Sequence, residues 1–120
     1  MTRRAAPDAM PAESEASFQD RVVKTAHSLG WRTFAVRKSA AGSAKTGKLI
    51  SMVTKKGWVD LVLWKNNEII FWELKSDKGK LSPEQAEVLE SLAPLEFIHR
   101  VGCVRPRDWE EIEGILRGER

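Results

Sequence analysis

The clearest pattern in the chain is a pair of apolar runs between Gly57 and Lys75, GWVDLVLWKNNEIIFWELK. Both runs have the length and the β-branched and aromatic residues of strands. Asn66-Asn67 between them suits a two-residue hairpin turn, because asparagine tolerates the positive φ that both central positions of such a turn need. Apolar residues occupy both faces of each run, which is typical of strands covered on both sides. The pattern therefore predicts a hairpin in the middle of a sheet, with helices packed over it.

Helical spacing and capping residues predict three helices around this hairpin, over 14–29, 82–92 and 108–117. Two further strands are predicted over 31–36 and 97–104, and 49–54 is interpreted either as a short strand or as the return of a loop. The resulting order, α-β-(β)-β-β-α-β-α, predicts an α/β (α+β) fold, a central mixed sheet flanked by helices. Residues 1–13 have no periodicity and are expected to be a flexible tail, with 14–120 forming a single domain.

The hairpin places two carboxylates opposite each other. With Asn66-Asn67 as the turn, Asp60 faces Glu73, and directly opposed residues have Cβ atoms about 4.5–5.5 Å apart. Lys75 follows on the same face, about 7 Å along the strand. Such a group suits a hard divalent cation, Mg²⁺ or Mn²⁺, held by Asp60, Glu73 and a backbone carbonyl near Leu74. The alternative is an ordinary ion pair between Glu73 and Lys75 at a sheet edge.

Two polar residues lie on apolar helical stripes. Glu15 precedes Phe18 by three positions, so it lies on the core-facing stripe in the first turn of its helix. It is a candidate third carboxylate, and the alternative is that it only complements the helix dipole. Gln85 is either the capping-box partner of Ser82 or a polar group that points toward the carboxylates, and spacing alone favours the cap.

Charge is distributed unevenly along the chain. The formal net charge is only +3, yet no acidic residue lies between Asp20 and Asp60, an interval that holds nine lysines and arginines. This pattern favours a polyanionic partner, most simply DNA, although a solvated connecting loop would have the same composition. The candidate phosphate-contacting residues of this interval and of the later turn SDKGK are Arg37, Lys38, Lys45, Lys48, Lys55, Lys56, Lys78 and Lys80.

Other classes of site are disfavoured. The single Cys103 excludes an internal disulfide and a cysteine-based zinc site, and it fits a reducing cytoplasm. No apolar run has the length of a membrane span, so a cytoplasmic protein with no membrane partner is expected. The sequence has no P-loop, GxGxxG or HExxH motif, so the carboxylates are the candidate reaction centre. A metal ion there would polarise a phosphate and activate a water, and Lys75 would offset the developing charge.

The segment GWVDLVLW…IIFWELKSDKGKLSPEQAEVLESL resembles the virus-type replication-repair nuclease domain (VRR-NUC) of the PD-(D/E)XK nuclease superfamily. The resemblance extends from SEASFQDRVVKTAHSLGWR to RPRDWEEIEGIL. It implies that Glu15 is the first-helix acid, Asp60 the metal-binding aspartate, and Glu73 with Lys75 the Glu-x-Lys pair. Gln85 would be the glutamine near the metal, which favours a role beyond the cap. One departure is Val59, which stands where the family usually has proline.

The resemblance also implies an activity. Proteins of this family cleave DNA with Mg²⁺ or Mn²⁺, and some prefer structured DNA. Small stand-alone versions are similar to phage-encoded and prophage-encoded nucleases, and the smallest members tend to be homodimers. The expected function is therefore a metal-dependent endonuclease acting on branched or duplex DNA in a bacterial or phage-infected cell, similar to Holliday-junction resolvases. Two alternatives remain, a sequence-specific restriction-type enzyme and a non-catalytic nucleic-acid-binding module on the same fold.

Overall fold

The computed structural model of the chain describes residues 13–36 and 56–119. The helices and strands within these residues follow the predicted order, and in chain order they are α1 (Glu15–Ser28), β1 (Arg32–Ala35), β2 (Leu61–Lys65), β3 (Glu68–Leu74), α2 (Pro83–Leu92), β4 (Arg100–Val104), a 3₁₀ turn (Pro106–Asp108) and α3 (Trp109–Leu116). The predicted strand or loop return over 49–54 lies outside the described residues. The last strand begins at Arg100 and not at Phe97, because the Ile98 amide instead closes a turn onto the Leu95 carbonyl at 3.1 Å.

The four strands form one mixed sheet in the order β1-β2-β3-β4. β1, β2 and β3 pair antiparallel, whereas β3 and β4 are parallel. The predicted fold class, a mixed sheet flanked by helices, is therefore confirmed. The predicted hairpin register is also confirmed, from Lys65↔Glu68 at the turn to Leu61↔Trp72 at the open end.

The hairpin turn differs from the prediction in one respect. Asn66 has a φ of 54°, and it is the only non-glycine residue with positive φ in the described part of the chain. The expectation that both asparagines need positive φ is therefore wrong. A positive φ at the first central position alone is the arrangement of a II′ turn, which also matches the twist of the flanking strands.

Helices cover both faces of the sheet, as predicted. On one face, Phe18 and Val22 of α1 and Ile112 of α3 pack with Leu61 and Leu63, and all five side chains are fully buried. Burial of a side chain such as Phe or Leu contributes about 1.5–3 kcal/mol relative to its exposure. This larger core fixes the hairpin against α1.

The other face of the sheet packs against α2. Val88 and Leu92 of this helix are buried with Val59, and the sheet residues Val62 and Phe71 pack against them. Because side chains alternate along a strand, Val62 and Phe71 lie on the face opposite Leu61 and Leu63. α2 therefore sits on the same face as Asp60 and Glu73.

Helix ends match the sequence signals in two of three cases. Ser14 Oγ accepts a hydrogen bond from the Ser17 amide at 3.1 Å, so the predicted cap of α1 is confirmed. Asp108 stands at the N-cap position of the last helix, where the sequence predicts the helix to begin, but its side chain makes no capping hydrogen bond to that helix. Its carboxylate accepts from the Arg105 amide at 2.9 Å and caps the 3₁₀ turn that precedes α3.

Candidate active site at one end of the sheet

Asp60 lies just outside the hairpin ladder, where β1, β2 and β3 end together. The last ladder pair is Leu61↔Trp72, so Asp60 is the next residue outward on its strand. Its Oδ2 accepts a hydrogen bond from the Leu74 amide at 2.9 Å, and its backbone carbonyl accepts one from the Val36 amide at 2.9 Å. Because the Leu74 amide donates to this carboxylate and not to a backbone carbonyl of the neighbouring strand, the ladder between β2 and β3 ends at Leu61↔Trp72. Asp60 remains a buried carboxylate at the sheet end.

Glu73 is the most deeply buried charged side chain of the described residues, with 1% of its surface exposed. Its Oε2 accepts a hydrogen bond from Gln85 Nε2 at 2.7 Å, and Lys75 Nζ lies 3.9 Å from the same oxygen. The Glu73 Oε1 atom is buried as well. Taking a carboxylate out of water costs several kcal/mol, which these two partners partly offset. The end of the sheet thus holds a carboxyl group that is almost fully out of water, next to a second buried carboxyl group, Asp60.

Gln85 performs both of the roles that its spacing left open. Its Oε1 accepts a hydrogen bond from the Ser82 amide at 2.8 Å, and Ser82 Oγ accepts one from the Gln85 amide at 3.1 Å. The predicted capping box of α2 is therefore confirmed. The other end of the same amide, Nε2, donates to Glu73. One side chain thereby connects the start of α2 to the buried carboxylate on β3.

The turn that carries Lys75 is fixed by an arginine that sequence reasoning missed. Arg105 Nη1 donates to the backbone carbonyls of Ser76 at 2.7 Å and Gly79 at 2.6 Å. Arg107 binds the same turn through its amide and its guanidinium. The only sequence signal was the charged run RPRD after the last strand. These contacts hold the connection between β3 and α2 against the segment that follows β4.

Glu15 lies beside this turn. A Cβ built on Gly79 would be 3.1 Å from Ser76 Oγ, and 3.4 Å from both Glu15 Oε2 and Lys75 Cδ. The Glu15 carboxylate is therefore close to the stem of Lys75. In residues 13–36 and 56–119, no three Asp, Glu, His or Cys side chains form a group able to hold a metal ion. Glu15 is exposed at the start of α1, and its part as a third metal-binding carboxylate stays a prediction.

Three of the eight predicted phosphate-contacting residues lie in the described part of the chain. Lys56, Lys78 and Lys80 are exposed, the last two on the turn after Lys75. Lys56 Nζ lies 3.6 Å from Glu84 Oε2. A backbone hydrogen bond and then the Lys56 charge hold the pKa of the Glu84 carboxyl below its ordinary value. The other candidates, Arg37, Lys38, Lys45, Lys48 and Lys55, lie outside the described residues.

The carboxylates fit the chemistry of a hard cation. Mg²⁺ is commonly bound through one or two carboxylates, with waters and substrate phosphates in its other positions. Asp60 and Glu73 supply two buried carboxylates, one on each strand, directly beyond the last hairpin pair Leu61↔Trp72. The donor set is thus compatible with Mg²⁺ or Mn²⁺. The Leu74 carbonyl and Glu15 remain predicted contributors.

Comparisons with known proteins give little beyond this geometry. No protein-family model matches the chain, and no curated protein matches it. Among solved structures, the chain is similar to Hjc, a Holliday junction resolvase from Archaeoglobus fulgidus, at 18% identity and a TM-score of 0.48, over 75% of this chain and 67% of that chain. We draw neither function nor site residues from a likeness of this degree. Membership of the VRR-NUC family remains an expectation. None of the helices described is long and apolar enough to cross a membrane.

Proposed function

We propose that this protein is a divalent-metal-dependent nuclease that hydrolyses phosphodiester bonds in DNA. The observation that carries the proposal is the buried Glu73 carboxylate, held between Gln85 Nε2 at 2.7 Å and Lys75 Nζ at 3.9 Å, at the sheet end where Asp60 is also buried. A buried ion pair is a weak source of stability, because replacing both of its partners by well-packed apolar side chains is often neutral or stabilising. A metal-binding role explains why the charge is kept.

In this proposal Asp60 and Glu73 hold Mg²⁺ or Mn²⁺, and the Leu74 carbonyl and Glu15 assist from the same end of the sheet. A bound metal ion of this kind supplies Lewis-acid polarisation of the scissile phosphate and lowers the pKa of a coordinated water. Gln85 fixes the rotamer of Glu73 through its Nε2 contact, so the carboxylate keeps one orientation. The turn bearing Lys75 is kept in place by Arg105.

Lys75 is proposed to act on the phosphate. Its ammonium lies 3.9 Å from Glu73 Oε2 and its side chain is 13% exposed, so it is close to the proposed cation-binding oxygens and still within reach of a substrate. A preorganised positive charge at this point stabilises the negative charge that develops on the phosphoryl oxygens. Lys56, Lys78 and Lys80 then contact flanking phosphates, a sequence-independent interaction that weakens as salt rises.

The substrate that we propose is branched or duplex DNA. It rests on the resemblance to VRR-NUC proteins and on the exposed lysines around the site. A homodimer, which the resemblance also implies, would place two such sites on one branched molecule. Light scattering on the purified chain, alone and with DNA, tests that assembly.

The activity is tested by incubating the full chain with a four-way junction, a flap, a duplex and a single strand, each with Mg²⁺, Mn²⁺ or EDTA. We expect metal-dependent cleavage that Asp60→Asn and Lys75→Met reduce by two orders of magnitude or more, roughly the effect of removing one preorganised charge from a reaction centre. Matched controls are Asp20→Asn and Lys24→Met, which change the same residue types in an exposed pair on α1, 3.0 Å apart.

Each outcome decides between the alternatives. Binding of DNA without cleavage in any metal would refute the nuclease and favour the non-catalytic binding module. Cleavage confined to one short duplex sequence would favour the restriction-type enzyme. Cleavage that survives Asp60→Asn unchanged would show that the carboxylates at the sheet end are not the reaction centre.

A further inference from the structure

An exposed aromatic side chain flanks the candidate site. Phe34 of β1 is 61% exposed, and Trp64 on the neighbouring strand β2 is 38% exposed. Strand residues of this size are normally covered, and exposed apolar groups that cluster commonly mark an interaction surface. The two residues belong to adjacent strands, so they form one patch of the sheet.

Phe34 lies on the same face of the sheet as Asp60. Thr33 Oγ1 is 2.9 Å from His27 Nε2, so Thr33 points toward α1, and the next residue points to the opposite face. The strand partner of Phe34 is Val62, whose side chain packs with the core under α2. Within residues 13–36 and 56–119, α2 therefore covers this face over β3 but does not cover Phe34 on β1.

The patch starts next to the proposed reaction centre. The Val36 amide bonds to the Asp60 carbonyl at 2.9 Å, so the pairing of β1 with β2 extends to Asp60, and Phe34 and Asp60 are diagonal neighbours about 7–8 Å apart. The next residues on the same face are Trp64 and its partner Arg32, about 7 Å further along the strands. Arg32 is exposed. Along this face, Asp60 is followed by Phe34 and then by the cross-strand pair Trp64 and Arg32.

We propose that Phe34 stacks on an unpaired base of the DNA whose phosphate lies at the cation site proposed for Asp60 and Glu73, with Trp64 as the next stacking surface. Aromatic side chains on an open sheet face bind bases that are free of their duplex stack, while the flanking positive charge of Arg32 complements the backbone. A continuous duplex presents no such base face. This inference rests on the proposed function and narrows its substrate class to DNA with unpaired bases near the cut, such as a junction, flap or gap.

The proposal is tested by DNA binding in EDTA, where no metal-dependent cleavage occurs. The probes are a flap substrate with 2-aminopurine in the unpaired strand at the branch and a continuous duplex of equal length. We expect Phe34→Ala to weaken flap binding about 5- to 150-fold, the loss of one base–aromatic stack, and to leave duplex binding unchanged. Phe34→Trp should retain flap binding and the quenching of 2-aminopurine that stacking causes.

Phe97→Ala is the matched control. Phe97 is 66% exposed, but it precedes β4 at the end of the sheet where the His99 amide bonds to the Ile69 carbonyl, opposite the site. Its removal should change neither affinity.

An unchanged ratio of flap to duplex affinity in Phe34→Ala would overturn the inference. A shift in oligomeric state or in melting temperature without a change in that ratio would also overturn it, because another copy or another part of this chain would then cover the patch. If the protein lacks nuclease activity, metal-dependent cleavage is absent while the flap preference in EDTA persists, so the two failures are distinguishable.

Discussion

The two contacts of Gln85 can be separated by a pair of substitutions. Gln85→Glu keeps an oxygen acceptor for the Ser82 amide, since glutamate and glutamine both serve in capping boxes. It also replaces the side-chain amide NH₂ that donates to Glu73 Oε2 at 2.7 Å by a carboxylate oxygen. Ser82→Ala does the reverse, because it removes the cap acceptor at 3.1 Å and leaves the contact with Glu73 in place. Comparing the two variants isolates the contribution of the buried contact.

The expected magnitudes differ clearly. Loss of a serine N-cap costs about 1 kcal/mol of unfolding free energy. Gln85→Glu removes a hydrogen bond to a charged group and leaves two carboxylates facing each other around Glu73, which is only 1% exposed, so solvent screens the repulsion poorly. Disrupting a buried charge in this way costs roughly 3–5 kcal/mol. Gln85→Glu should therefore destabilise the fold several times more than Ser82→Ala at neutral pH.

The same variant should show a distinct pH dependence. Two adjacent carboxylates share a proton, which raises the pKa of the pair in the folded state above the ordinary glutamate value of about 4.3. The shared proton stabilises the folded state of Gln85→Glu fully at a pH below the pKa that the carboxyl groups have in the unfolded chain. This stability is lost as the pH rises through the raised pKa of the folded state. The deficit relative to the parent protein should be larger at pH 8 than at pH 5.

Urea unfolding followed by circular dichroism at pH 5 and pH 8 measures both effects on the parent chain, Gln85→Glu and Ser82→Ala. The reasoning would be refuted if Gln85→Glu lost no more stability than Ser82→Ala at pH 8. It would equally be refuted if the deficit of Gln85→Glu were the same at both pH values, since no carboxylate pair would then have formed.

Three further predictions concern residues around the site. Gly57→Ala should lower the free energy of unfolding by about 3 kcal/mol or more, because φ is 85° and the new Cβ would lie 2.5 Å from a backbone carbon in the first turn of α2. Gly118→Ala is the control: φ is 83° but the space around it is open, so the loss in urea unfolding should be about 1–2 kcal/mol. Arg105→Met should speed hydrogen exchange of the Gly79 amide and lower cleavage without weakening DNA binding, because the turn loses both carbonyl contacts. Burial raises the pKa of the Cys103 thiol, so alkylation at pH 8 should be slower in the folded chain than in urea, and stability should fall as pH rises above the unfolded thiol value.

The hairpin was predictable because two short-range rules determine it. Strand side chains alternate with a period of two, and a two-residue turn leaves one pairing of the flanking residues. The pairing from Lys65↔Glu68 to Leu61↔Trp72 follows from these rules alone. These rules do not predict where a side chain, and not the backbone, accepts the hydrogen bond of the neighbouring strand. At the open end of the hairpin, the Leu74 amide bonds to the Asp60 carboxylate and not to a backbone carbonyl of the neighbouring strand.

The fixation of the Lys75 turn was not predictable in the same way. Arg105 binds backbone carbonyls of residues that precede it by 29 and 26 positions. Every residue has a backbone carbonyl, so the residue types in the turn do not indicate that an arginine binds there. Glu15 shows a related limit. Helical spacing gave its face on α1, but the position of its carboxylate depends on where the Gly79 turn lies, and that position is a tertiary property.

Gln85 shows why two alternatives at one residue need not exclude each other. A primary amide carries an acceptor and a donor at opposite ends, so it can satisfy a helix start and a carboxylate together. Here Oε1 is committed to Ser82 and Nε2 to Glu73. Because the cap fixes the plane of the amide, it also fixes the direction from which Glu73 receives its hydrogen bond. The orientation of the buried carboxylate therefore depends on how α2 begins, and the start of that helix is part of the site.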